Sequence, residues 1–184
     1  MATGRRGGSY YGTISNLADP CSVPYQVDIV EYVNADATNQ YTLHTGSEAV
    51  CNAGSGTNFD GNRLSTSCRS GAGDNTGCGI QDFEGSAGAP FNAGGGGVFV
   101  MLWDDTQLSF WRFARNKIPQ DIKDGAPNPD GWGTPVARWT NQSCDIQNAF
   151  QNMQCTPRRF LFLKHDLENP FLPFPSGYQH YHLR

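Results

Sequence analysis

Four short runs of this chain read as extended strands, and the first two of them alternate polar with apolar side chains at every second residue, the period of a strand with one buried face. They are Gln26–Glu31, Gln40–Thr45, Val98–Trp103 and Leu108–Phe113. The last two are separated by Asp104 to Gln107 and read as a hairpin. Only 16% of the 184 residues are charged, while 22 are Gly, 11 are Pro and 12% are aromatic, a balance that suits a loop-rich β domain.

The remaining stretches read as connections. Residues 1–25 are rich in Gly, Ser and Arg without a period and are expected to be irregular. Cys51 to Gly97 is dominated by Gly, Ser, Ala, Asn and Asp and is expected to be one long loop tied down by cysteines. Asp124 to Pro135 reads as a loop and Asp145 to Met153 as a short helical turn or a strand. From about Gln154 the style changes, and Pro170, Pro173 and Pro175 interrupt any regular element, so residues 154–184 are expected to be an irregular tail.

Charge and cysteine usage remove several function classes. The net charge is −4 and no Lys/Arg-rich run occurs, so nucleic-acid binding lacks its electrostatic basis, whereas a neutral polymer such as a polysaccharide is unaffected. No segment approaches the roughly 18 apolar residues of a membrane span. The six cysteines (Cys21, Cys51, Cys68, Cys78, Cys144 and Cys155) form no CxxC pair and have no histidine at zinc-ligand spacing, so disulfides are expected, with the connectivity open. Asn141-Gln142-Ser143 is a glycosylation sequon, which also points to export, although Met1 to Tyr11 contains no apolar signal core. His180 and His182 belong to the tail and read as a disordered end rather than a metal site, and no GxSxG elbow supports a serine hydrolase. No cofactor is implied, and a monomer is expected.

The chemistry concentrates in the first strand, where the polar residues fall at Gln26, Asp28 and Glu31. Strict alternation would turn Glu31 to the same side as Val27 and Ile29. One extra residue in a β-bulge, at Val30 or beside it, turns it back. Carboxyl groups gathered in this way on one face suit glycoside hydrolysis with retention, which needs a nucleophile and an acid/base roughly 5 to 5.5 Å apart.

With this spacing the sequence resembles the catalytic region of fungal laminarinase-like enzymes of glycoside hydrolase family 16. The resemblance continues in order through Asn39 to Thr45, Gly77-Cys78-Gly79-Ile80-Gln81, Phe91-Asn92 with Gly94 to Val98, Phe110 to Phe113, Ile118 to Ile122, Trp132 to Pro135 and Cys144-Asp145-Ile146. It implies a partial domain over residues 26–153 with an all-β, concanavalin-like jelly-roll sandwich of two curved antiparallel sheets, incomplete at both ends. It also implies a β-1,3- or mixed β-1,3-1,4-glucan as substrate and an extracellular location. By this resemblance Glu31 is the acid/base, Asp28 the assisting carboxylate, Gln26 the nucleophile position and His44 a residue of the cleft; Trp103 and Arg115 are further candidates for contact with the sugar, with surface solvation the competing reading for the arginine. Core packing is the competing reading for the tryptophans.

Position 26 departs from the family, which has Glu there. An amide cannot form the glycosyl-enzyme ester, and loss of a nucleophile costs on the order of 10⁶ in kcat, about 8 kcal/mol of barrier. An impaired glucanase is therefore expected, with a catalytically silent glucan-binding module or a mis-assembled gene product as alternatives.

Overall fold

The computed structural model describes residues 10–15, 25–46, 50–54, 58–71, 73–150, 154–155 and 161–164. The histidine tail and the side chains of Cys21 and Cys155 lie outside the described residues.

Among the described residues, ten strands form two sheets. They are β1 (Tyr10–Ser15), β2 (Gln26–Tyr32), β3 (Gln40–His44), β4 (Asn62–Arg63), β5 (Cys78–Gln81), β6 (Gly97–Trp103), β7 (Gln107–Ala114), β8 (Ala137–Thr140), β9 (Gln154–Cys155) and β10 (Leu161–Lys164). The six-stranded sheet runs β4-β5-β3-β2-β1-β9 and the four-stranded sheet β10-β6-β7-β8. Three short helices, α1 (Gly88–Ala93), α2 (Gln120–Lys123) and α3 (Ile146–Ala149), sit on the connections.

The four runs form β2, β3, β6 and β7 as read. The β6–β7 turn is fixed by Asp104, whose Oδ1 accepts from the backbone N–H of Thr106 at 2.7 Å and of Gln107 at 3.0 Å. Elsewhere the structure corrects the sequence reading. Tyr10–Ser15 lies in the segment expected to be irregular, yet it pairs with β2 along its length. Leu161–Lys164, in the expected irregular tail, pairs with β6, and it does so in parallel, so that sheet is not purely antiparallel. The stretch Cys51 to Gly97 is not one loop, because it contributes β4, β5 and α1. Disulfides join Cys51 to Cys144 and Cys68 to Cys78.

The core fills the space between the sheets. Val27, Ile29 and Val30 of β2 and Tyr41 and Leu43 of β3 meet Phe99 and Met101 of β6 and Leu108 and Phe110 of β7. Tyr41 stands 5.1 Å, ring to ring, from Phe110, which meets Trp139 of β8 edge-on at 5.7 Å. A second apolar cluster covers the other face of the four-stranded sheet, with Val100, Ile118 and Ile122 beneath Phe113 and Trp132.

One buried polar group ties the layers together. Asp82, just after β5, accepts from Arg112 Nε of β7 at 2.7 Å, from the guanidinium's second nitrogen at 3.2 Å and from the Tyr41 hydroxyl at 3.2 Å. Burial first, then the Asp82 charge, pushes the Tyr41 phenol well above its usual range.

Candidate active site

Strand β2 carries the bulge that its polar spacing requires. Asp28 faces Thr42 and Glu31 faces Gln40, so Ile29 and Val30 together face Tyr41 alone. On the other side Gly12 pairs with Val30 and Thr13 with Asp28, leaving Ile29 as the extra residue. Both consecutive apolar side chains then enter the core, at 0% and 7% exposure, and Glu31 returns to the side of Asp28. A buried amide spans the irregularity: Asn39 accepts from Glu31 N–H at 2.9 Å and donates to the Ile29 carbonyl at 2.9 Å.

The result is a polar row on one face of β2 and β3. The Gln26 amide donates to Asp28 Oδ1 at 2.7 Å, while Asp28 Oδ2 lies 3.0 Å from His44 Nε2. His44 Nδ1 lies 2.8 Å from the Ser70 hydroxyl. At the other end, Glu31 Oε2 accepts from the Thr42 hydroxyl at 2.8 Å and from the Gln40 amide at 3.3 Å. Asp28, Thr42 and His44 are buried, and Gln26, Glu31 and Gln40 are half-buried. Burial raises the proton affinity of Glu31 above the ordinary carboxylate value; the Thr42 hydroxyl opposes this, Asp28 adds to it, and His44 and Gln40 oppose it.

The structure therefore brings Gln26, Asp28, Glu31 and His44 together. Trp103 lies on β6 of the four-stranded sheet and Arg115 just after β7. Trp103 packs against the inter-sheet core and meets Phe150 edge-on at 6.3 Å, because it shares strand parity with Phe99 and Met101. Arg115 follows β7 in a 3-10 turn and donates to the Gly95 carbonyl at 3.1 Å. The other tryptophans also pack: Trp139 is 1% exposed and Trp111 3% exposed, the latter edge-on to Trp132.

Several site residues escaped the sequence reading. Gln40 and Thr42 have a signal, since they alternate with His44 on one face of β3. Ser70 has none, being placed by the loop that the Cys68–Cys78 disulfide closes. That loop is fitted to the histidine: a Cβ at Gly77, where φ is +63°, would stand 2.7 Å from His44 Nδ1. Gly79 pairs with Thr42, and a Cβ there would meet the Gln40 amide nitrogen at 2.9 Å.

Ser70, His44 and Asp28 stand in the order of a hydrolytic triad, but acyl transfer also needs backbone donors for an oxyanion. The N–H groups of Ser70 and Gly71 are engaged by the carbonyls of Thr45 and Asp74. The row is thus suited to orienting Asp28, while Glu31, with its raised proton affinity, is suited to giving up a proton.

The family model for the XgeA-like catalytic domain of glycoside hydrolase family 16 matches residues 22–156. A probable endo-1,3(4)-β-glucanase of Aspergillus niger is 40% identical over 129 residues, which are 70% of this chain and 17% of that protein. The endo-1,3(4)-β-glucanase of Emericella nidulans is 36% identical over 129 residues, 70% of this chain and 20% of that protein. Among solved structures, the laminarinase 16A of Phanerochaete chrysosporium, with two β-glucans in its donor and acceptor sites, superposes with a TM-score of 0.72 at 34% identity, covering 80% of this chain and 51% of that one. An elongating family 16 β-1,3-glucosyltransferase superposes at 0.71 with 31% identity, covering 80% and 48%. The chain thus spans about half of these solved structures and a smaller share of the curated relatives. Its two packed sheets are those of the β-jelly-roll sandwich, and the chain belongs to glycoside hydrolase family 16, in the XgeA-like group.

Proposed function

We propose that this chain carries the acid/base half of a retaining β-1,3(4)-glucanase site and that, with glutamine at position 26, it holds glucan with little or no turnover. Glu31 is the proton donor to the glycosidic oxygen, Asp28 the assisting carboxylate that His44 orients, and Gln26 occupies the nucleophile's place. The observation that carries the reading is the 2.7 Å bond from the Gln26 amide to Asp28, at one end of a row that ends in Glu31. An ionised glutamate at 26 would attack the anomeric carbon, whereas the amide has no charge to give and is committed as a donor. Glucans bound by the solved relatives support the choice of ligand. Two disulfides and an exposed Asn141 support export to an oxidising compartment.

Reducing-end release from laminarin, measured beside retention on a glucan affinity gel, tests this directly. The chain should be retained and release nothing above background, and Gln26→Glu should raise release by several orders of magnitude. Turnover by the unaltered chain, or none after the substitution despite retention, would refute the assignment of position 26.

A further inference from the structure

The bulge in β2 makes the direction of Glu31 depend on two backbone groups, the Ile29 carbonyl and the Glu31 N–H, and one side chain meets both. Asn39 is fully buried and clamped on its own backbone as well: its N–H donates to the Ser86 hydroxyl at 2.6 Å and its carbonyl accepts from Asp82 N–H at 2.8 Å. The amide therefore has a fixed origin and a single direction of reach. A primary amide offers a donor and an acceptor side by side, the pattern of a neighbouring peptide group. Leucine has a similar shape and neither function. A carboxylate would aim an acceptor at the Ile29 carbonyl, which is itself an acceptor.

We infer that Asn39 is the positioning residue for Glu31: by closing the bulge with one donated and one accepted hydrogen bond, it keeps the Glu31 carboxyl on the face shared by Gln26, Asp28, Thr42 and His44. Its consequence for turnover rests on the function proposed above; its consequence for the place of Glu31 does not. Asn39 touches no reacting atom, and acts through the backbone of the residue that does.

A protonated carboxylic acid has the same donor and acceptor pair as an amide, so Asn39→Asp is a conditional version of the native residue. The charged groups around it are Asp82 and Arg112 beyond Tyr41, Asp28 on β2 and Glu31 itself. Burial together with Asp82, Asp28 and Glu31 favours the protonated form, and Arg112 disfavours it.

Three measurements on the full chain decide the matter. Carbon-13 NMR titration of the Glu31 carboxyl, assigned with Glu31→Gln, should show a raised midpoint in the parent and a return toward the ordinary glutamate value in Asn39→Leu. Ser86→Ala, which removes a buried hydrogen bond from the same residue without touching the bulge, should lower Tm and leave the Glu31 midpoint in place. In a Gln26→Glu background, Asn39→Asp should lower kcat on laminarin by about 100-fold at neutral pH with KM little changed, the size expected of an ångström-scale misplacement. It should approach the kcat of its Gln26→Glu parent in acid.

A folded Asn39→Leu whose Glu31 titrates as in the parent overturns the inference, as does an Asn39→Asp loss that ignores pH. Should neither variant fold, amide exchange in the unaltered chain decides: the Glu31 N–H should exchange as slowly as the ladder amides of β3, and exchange as fast as an exposed loop overturns it. A Gln26→Glu chain without turnover, combined with the expected Glu31 midpoints, would refute the proposed function and leave the inference standing.

Discussion

Asp28 and Asp82 are both almost fully buried, at 1% and 4% exposure, and each stands against a cationic or potentially cationic partner, yet they are built for different tasks. Asp82 meets Arg112, whose guanidinium stays charged at any pH the fold survives, through a two-pronged contact. The Tyr41 hydroxyl and the Phe83 N–H also donate to it. Asp28 meets His44, which can lose its proton and still donate, and it accepts from an amide at position 26. A permanent pair suits a clamp between sheets, whereas a pair in which the partner can change charge suits a face where protons move.

Removing the charge from each aspartate should separate the two tasks. Asp82→Asn leaves the Arg112 guanidinium, only 16% exposed, without its anion and should cost about 3–5 kcal/mol in denaturant unfolding. Adding Arg112→Met should recover most of that loss, because the uncompensated charge leaves with the arginine. Asp28→Asn should cost far less, about 1 kcal/mol, since a neutral His44 keeps its hydrogen bond. Equal losses at the two sites would show that the two aspartates do the same structural work. Tyr41→Phe, which removes one of several bonds to Asp82, should cost about 1 kcal/mol or less and leave the Glu31 titration unmoved.

The same contrast marks what the sequence disclosed. Strand β2 was legible down to its bulge, because an apolar pair at Ile29-Val30 between Asp28 and Glu31 can be buried only if the period slips by one. Strand β5 was not, because Gly79 has no side chain to show a period, and the reason lies in the site: Gln40 fills the space its Cβ would take. Trp103 shares parity with Phe99 and Met101 and packs against the core, and a strand pattern separates two faces without saying which one meets a sugar. Asn39, Ser70 and the Asp82–Arg112 pair join residues 8 to 47 positions apart, and such contacts leave no local trace in a chain read alone.

The smallest effect tests the electrostatics of Glu31 itself. Its carboxyl is held above the ordinary value by burial, and the Thr42 hydroxyl is the largest influence pulling it back. Thr42→Val keeps the shape, removes the 2.8 Å donor and should move the Glu31 midpoint further up. A carboxyl whose proton affinity is higher folded than unfolded adds stability below its unfolded pKa, and that contribution is lost as pH rises through the folded value. Unfolding free energy should therefore fall with rising pH across this interval, by less than about 1 kcal/mol given partial exposure. The interval should widen in Thr42→Val, and the fall should vanish in Glu31→Gln. A downward movement of the midpoint in Thr42→Val would mean that the hydroxyl accepts from a protonated Glu31 instead of donating to the ionised form, reversing the balance that suits this residue to proton donation.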